Sequence, residues 1–168
     1  MMLEIAVEAD AEWDSNKGWE ALARRAAEAA IAESAFPQLT AAARQVEISV
    51  RLASDEAVRA LNARWRGKDQ PTNVLSFPMA DPDQLRAADS TGPELLLGDM
   101  ILARGRCVAE AADKGVPVEE HATHLIVHGT LHLLGYDHGD DADAEDMEAR
   151  EVRALGRLGI ADPYGLAG

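Results

Sequence analysis

The sequence predicts an α/β (α+β) fold: one small mixed sheet of about four strands with about five helices, and a metal site at the end of a histidine-bearing helix. Three observations predict the architecture. Leu3–Glu8 and Val46–Leu52 alternate apolar and polar residues with the period of a half-buried strand. Ala- and Leu-rich stretches between and after them repeat their apolar residues at helical spacing. Strands and helices interleave along the chain, so one β-α-β crossover, right-handed and parallel, is expected in the sheet. Strand order is not legible at this level.

In chain order, the strand at residues 3–8 is followed by a helix from Trp19 to about Ala35, with Leu22, Ala26, Ala29 and Ala30 on one face and Pro37 beyond its end. After the strand at 46–52, Ser54 followed by Asp55 and Glu56 reads as an N-cap and acidic first turn, opening a helix that runs to about Trp65 and stops at Gly67. Pro71-Thr72 leads into a short strand, Asn73 to Phe77, closed by Pro78. Residues 80–95 contain Pro82, Ser90, Gly92 and Pro93 and read as a flexible surface loop. Leu95 to Leu102 is an apolar strand, and helices follow at about 103–114, 118–134 and 143–157, the first two separated by Gly115 and Pro117. Residues after about 159 read as irregular.

The chain has 168 residues, enough for one domain spanning 1–168 with a single core. Aromatic residues make up only 4%, so aliphatic side chains are expected to fill that core. A net charge of −14 argues against a protein that simply coats nucleic acid, because the global field repels a polyanion; it leaves room for a local basic site. Cys107 is the sole cysteine, so no intramolecular disulfide forms. Neither a signal-peptide pattern nor a membrane-length apolar run is present, and the protein is expected to be cytoplasmic and soluble.

All five histidines fall between His121 and His138. On a helix, His128 and His132 are i and i+4 and leave one face a turn apart. Gly135 sits where a helix end often needs a left-handed residue, so the chain can turn back and bring His138 to the same point. Three neutral imidazoles with a position left for water is the pattern of a catalytic zinc site rather than a closed structural one. An isolated helical histidine is more often a surface or core residue, but three at H-x3-H-x5-H with a glycine at the turn reverse that balance. The spacing matches the H-E-x-x-H-x-x-G-x-x-H pattern of metzincin proteases, except that Gly129 stands at the general-base glutamate. Glycine cannot take a proton, so the metal geometry is supported and the peptidase chemistry is not. His124, four residues before His128, is a candidate for contact with a ligand or with substrate. His121 reads as incidental; Asp137 could orient a ligand, but a turn-forming aspartate is the commoner case.

From Arg44 to Lys68, six basic residues face three acidic ones, a local +3 against −17 for the remainder. Arg64, Trp65, Arg66 and Lys68 concentrate cations and an aromatic face near a helix end, a group suited to gripping phosphate and stacking a base. A solvated charged face with Trp65 packed inward is the plainer alternative. Gly139 to Ala154, with seven carboxylates and two arginines, reads as an exposed amphipathic helix whose Met147, Val152 and Leu155 face inward.

Leu61-Asn62, Trp65-Arg66-Gly67-Lys68-Asp69, Pro71-Thr72-Asn73-Val74-Leu75-Ser76-Phe77-Pro78 and Leu97-Gly98-Asp99 resemble the YbeY family of bacterial endoribonucleases. His124-Leu125 and the block from His128 to His138 are similar to that family's histidine signature. The likeness runs from about residue 46 to the helix near 157. It implies a zinc-dependent, single-strand-specific endoribonuclease acting in ribosomal RNA maturation, at the 16S rRNA 3′ end, and in ribosome quality control. It carries the ligand role onto His128, His132 and His138, with one zinc ion and a water, and an essential catalytic role onto Arg66. His124, Trp65 and Lys68 are candidates for supporting the ligands or touching substrate. Single-stranded rRNA and the small ribosomal subunit with its proteins are the implied partners; neither membrane nor DNA is expected. Trp65 replaces a common tyrosine and Gln70 a common lysine. The attacking nucleophile is either water or the RNA 2′-hydroxyl. Two other readings keep the metal: a non-catalytic ribosome-assembly factor, and, disfavoured by Gly129, a metalloprotease.

Overall fold

The computed structural model describes residues 3–14, 18–41, 45–70, 72–86, 94–137 and 139–164. In β1 (Leu3–Ala9), Leu3 and Ile5 enter the core while Glu4 and Glu8 face solvent, as the alternation predicts. Helix α1 (Trp19–Ala32) buries Leu22, Ala26 and Ile31, and a 3-10 turn (Pro37–Ala41) leads to β2 (Val46–Ala53). Ser54 caps α2 (Asp55–Arg66), its hydroxyl accepting from the Ala57 amide at 3.1 Å. Then come β3 (Val74–Pro78), a short helix α3 (Pro82–Arg86), β4 (Leu95–Ala103), α4 (Arg104–Lys114), α5 (Val118–Leu133) and α6 (Asp141–Arg157).

The sheet order is β1-β2-β4-β3, with β1/β2 and β2/β4 parallel and β3 antiparallel at the edge. Two parallel pairs therefore replace the single one expected: β3 doubles back as an edge strand, and β4 returns between it and β2. The described residues hold six α-helices rather than about five. The extra one, α3, falls in the stretch read as a loop; Pro82 opens it and the Asp81 carboxylate accepts from the Gln84 amide at 2.8 Å. Residues 87–93 of that predicted loop lie outside the described residues.

One sheet face is covered by α1 and α5, with α6 packed outside them; α2 lies on the other, over Ala53, Leu75, Ile101 and Ala103. The core is mainly aliphatic, but Trp13 and Trp19 are also buried, edge to face at 5.1 Å, with the Trp13 indole donating to the Ala53 carbonyl. Helix α5 is enclosed by the sheet, α1, α4 and α6, and so buries polar His121, Thr123, His124 and Thr130 along with its apolar residues.

Gly98 positions the histidine helix against the sheet. The register slips at β2 between Glu47 and Ile48, leaving Leu97 bulged, and Gly98 takes φ 145°. A Cβ there would lie 2.3 Å from the Phe77 carbonyl oxygen and 2.8 Å from the Leu133 side chain at the end of α5. Just past α1, Glu33 gathers Arg153 and Arg157 on its carboxylate and Arg150 on its backbone carbonyl. Three guanidinium groups of α6 thus meet the negative end of α1.

Candidate metal centre

Beyond His132, the chain leaves the helix through Gly135, whose φ of 99° provides the expected turn. The next residue, Tyr136, is held by the Ala35 amide donating to its hydroxyl at 2.9 Å and by the Arg150 guanidinium 4.8 Å above its ring. His128 and His132 project from one face of α5 into a cleft of about 590 Å³, lined also by Asn62, Arg66, Lys68, Ser76 and Asp137. Four predicted site residues from two distant segments, Arg66, Lys68, His128 and His132, are therefore brought to one place. His138, the third predicted ligand, lies outside the described residues. Asp137, read as a turn former, lines the same cleft.

The two imidazoles fit a metal. Their Nε2 atoms are 3.0 Å apart and the rings nearly perpendicular, at 80°. Two nitrogens bound tetrahedrally to zinc are separated by about 3.3 Å. Behind them, Glu151 of α6 is fully buried and its Oε1 accepts from His128 Nδ1 at 3.2 Å and His124 Nε2 at 2.9 Å. Burial raises the Glu151 pKa, but hydrogen bonds and charge from His124 and His128 outweigh it and hold the carboxyl at about 2. A carboxylate on the far nitrogen of an imidazole is the usual companion of a histidine ligand.

Glu151 is the residue that sequence reasoning missed. The acidic helix was expected to turn Met147, Val152 and Leu155 inward; instead Met147, Glu151, Ala154 and Leu155 are buried and Val152 is only half-buried. The signal was the spacing: 147, 151 and 155 are successive i+4 positions, so a carboxylate stood within an apolar stripe. His121, read as incidental, is also buried, donating through Nε2 to Glu110 at 2.7 Å, while Asn73 donates to the same carboxylate. Burial, only partly offset by Glu110, lowers the His121 pKa and favours the neutral ring.

On the opposite wall, Arg66 donates to the Ser76 carbonyl at 3.3 Å. The loop bearing Lys68 is tied back by buried Asn62, whose Nδ2 donates to the Gln70 carbonyl at 2.8 Å. Trp65 points elsewhere. It is 62% exposed, carries the Arg64 guanidinium 5.1 Å from its ring, and lines a groove on the other side of β3 with Phe77 and Met79. Neither the cleft nor the packed-inward alternative describes it, because α2 ends with Arg66 and Trp65 on different faces. Gly129 lies against the sheet, where a Cβ would be 2.9 Å from Met100 Sδ and 3.2 Å from Ser76 Oγ. Any side chain at 129 would therefore crowd Met100 and Ser76, which adds a steric obstacle to the missing base.

A histidine pair backed by a buried carboxylate, facing a guanidinium and an ammonium group across a polar cleft, defines a hydrolase-type centre suited to phosphate esters. The family model for endoribonuclease YbeY matches residues 5–159. Endoribonuclease YbeY of Rhizorhabdus wittichii is 54% identical over 166 residues, covering 98% of both chains, and that of Erythrobacter litoralis is 53% identical over 168 residues with the same coverage. The fold is similar to the solution structure of TM1509 from Thermotoga maritima, with a TM-score of 0.55 and 22% identity over 93% of this chain and 92% of that one. The chain belongs to the YbeY family of endoribonucleases, RNA-cleaving hydrolases.

Proposed function

We propose that this protein is a zinc-dependent, single-strand-specific endoribonuclease that acts in the cytoplasm on ribosomal RNA, at the 16S rRNA 3′ end, and in ribosome quality control with the small subunit and its proteins. The observation that carries the reading is the convergence of Arg66, Lys68, His128 and His132 on one cleft in a chain of this family. His128, His132 and His138 would hold the zinc, which when bound supplies Lewis acidity toward a phosphoryl oxygen and a water of lowered pKa. The chain's own groups do the rest. Lys68 draws the backbone phosphate into the cleft, and Arg66 places a planar donor pair where charge grows on the phosphorus oxygens. Asn62 keeps the Lys68 loop in place by its bond to the Gln70 carbonyl.

Elemental analysis of the purified protein, paired with cleavage of a single-stranded RNA from the 16S 3′ region, tests the reading. The expected result is one zinc per chain and specific cleavage, lost in Arg66→Ala and His132→Ala. Full activity of either variant overturns the assignment, and zinc-loaded, correctly folded protein that binds rRNA without cutting it points to the assembly-factor alternative.

A further inference from the structure

The C-terminal segment reaches back to the metal centre, beyond the residues matched by the family model. Tyr164 lies past residue 159, where that match ends. Its ring is partly exposed, yet its hydroxyl donates to Glu151 Oε1 at 2.9 Å and stands 3.1 Å from His124 Nε2, the rings of Tyr164 and His124 meeting edge to face at 5.4 Å. Three groups 13 to 27 residues from Glu151 in sequence therefore share its buried Oε1: Tyr164, His128 and His124. Glu151 Oε2 and His124 Nδ1 are both buried without a hydrogen-bond partner among the described residues. The unshared atoms give the direction of the network. A carboxylate oxygen only accepts, so His124 donates from Nε2, and in a neutral ring Nδ1 is then the bare acceptor. By the same rule His128 donates from Nδ1, and its Nε2 then offers a lone pair to the cleft, beside His132.

The structure assigns to Glu151 and Tyr164 a positioning role: together they hold His128 in the Nδ1–H tautomer, with Tyr164 as a latch from the C-terminal segment. Oε1 is held from three sides, so the carboxylate cannot rotate away from His128 without giving up the bonds to His124 and Tyr164. The assignment rests on reading the His128–His132 cleft as the metal-holding site. Its first test needs no metal.

Full-length zinc-free protein labelled with ¹⁵N-histidine is compared as wild type, Glu151→Gln and Tyr164→Phe by long-range ¹H–¹⁵N spectra at alkaline pH, and zinc affinity is measured on the same three by chelator competition. In wild type, His128 is expected as the Nδ1–H tautomer. Glu151→Gln is expected to mix the tautomers and weaken zinc binding 10- to 100-fold, the usual loss for such an outer partner. Tyr164→Phe is expected to shift both readouts in the same direction by less. Should Glu151→Gln fail to fold, Tyr164→Phe, which removes a single hydroxyl from a partly exposed ring, carries the test. A wild-type His128 protonated at Nε2, or zinc affinity and tautomer unchanged in the folded variants, overturns the assignment. Wild type that shows the Nδ1–H tautomer but takes up no zinc leaves it standing and overturns the metal reading instead.

Discussion

Replacing Gly98 by alanine tests the packing that sets the histidine helix on the sheet. Two costs add. A side chain at φ 145° leaves the regions L-residues favour, at about 1–3 kcal/mol. The new Cβ would also lie 2.3 Å from a backbone oxygen of β3 and 2.8 Å from Leu133, so strand or helix must move, at about 1–3 kcal/mol more. A loss of about 4 kcal/mol corresponds, in a domain of this size, to a fall in Tm of about 8–16 °C. Gly115→Ala is the control: its φ of 67° is also positive, but nothing lies within 4 Å of its Cβ, so only backbone strain of about 1 kcal/mol applies. Urea and thermal unfolding followed by circular dichroism measure both. If Gly98→Ala costs no more than Gly115→Ala, the close approach of β3, β4 and α5 is not what fixes the helix, and the reasoning fails. Because Leu133 follows His132, the variant is also expected to bind zinc more weakly than its remaining folded fraction accounts for.

The Cys107 thiol is fully buried, and burial pushes its pKa up to about 12, so Ellman's reagent at pH 8 is expected to react slowly with native protein and at once with one thiol in denaturant. Hydrogen bonding from Arg157, with Arg153 assisting, holds the Glu33 carboxyl below its ordinary value, so its contribution is complete above that value and is lost as pH falls through the folded one. Wild type is therefore expected to exceed Glu33→Gln in urea stability at pH 7, with the gap closing below pH 4.5; a gap independent of pH would refute the carboxylate clamp. Asn62→Ala removes the donor to the carbonyl of exposed Gln70, a local cost of about 0.5–1.5 kcal/mol, and is expected to raise KM for RNA more than it lowers kcat, read from initial rates.

Much of the fold was legible because local rules wrote it. Period-two alternation marked β1 and β2, and Ser54 with its acidic turn marked α2. Helical spacing put His128 and His132 on one face whatever packed around them. The short helix at Pro82 was hidden by loop-forming residues, since one turn of helix carries almost no periodicity. Glu151 was hidden by its company: among so many carboxylates it looked solvated, and only the contact of α6 with α5 shows that it is the one carried inside. The helix's other carboxylates stay off the buried face because they lie outside the 147–151–155 stripe.

What the sequence determined by itself is whatever depends on neighbours along one helix or strand: element type, the histidine face, the chemistry that Gly129 denies. The tertiary structure alone decided which distant segments meet. It set Arg66 and Lys68 opposite His128 and His132, turned Trp65 to another face, and brought Tyr164 back to Glu151. The physical reason is that these contacts follow from how α2, α5 and α6 pack on a sheet ordered β1-β2-β4-β3. That packing is a property of the whole core, in which every element must bury its apolar face at once.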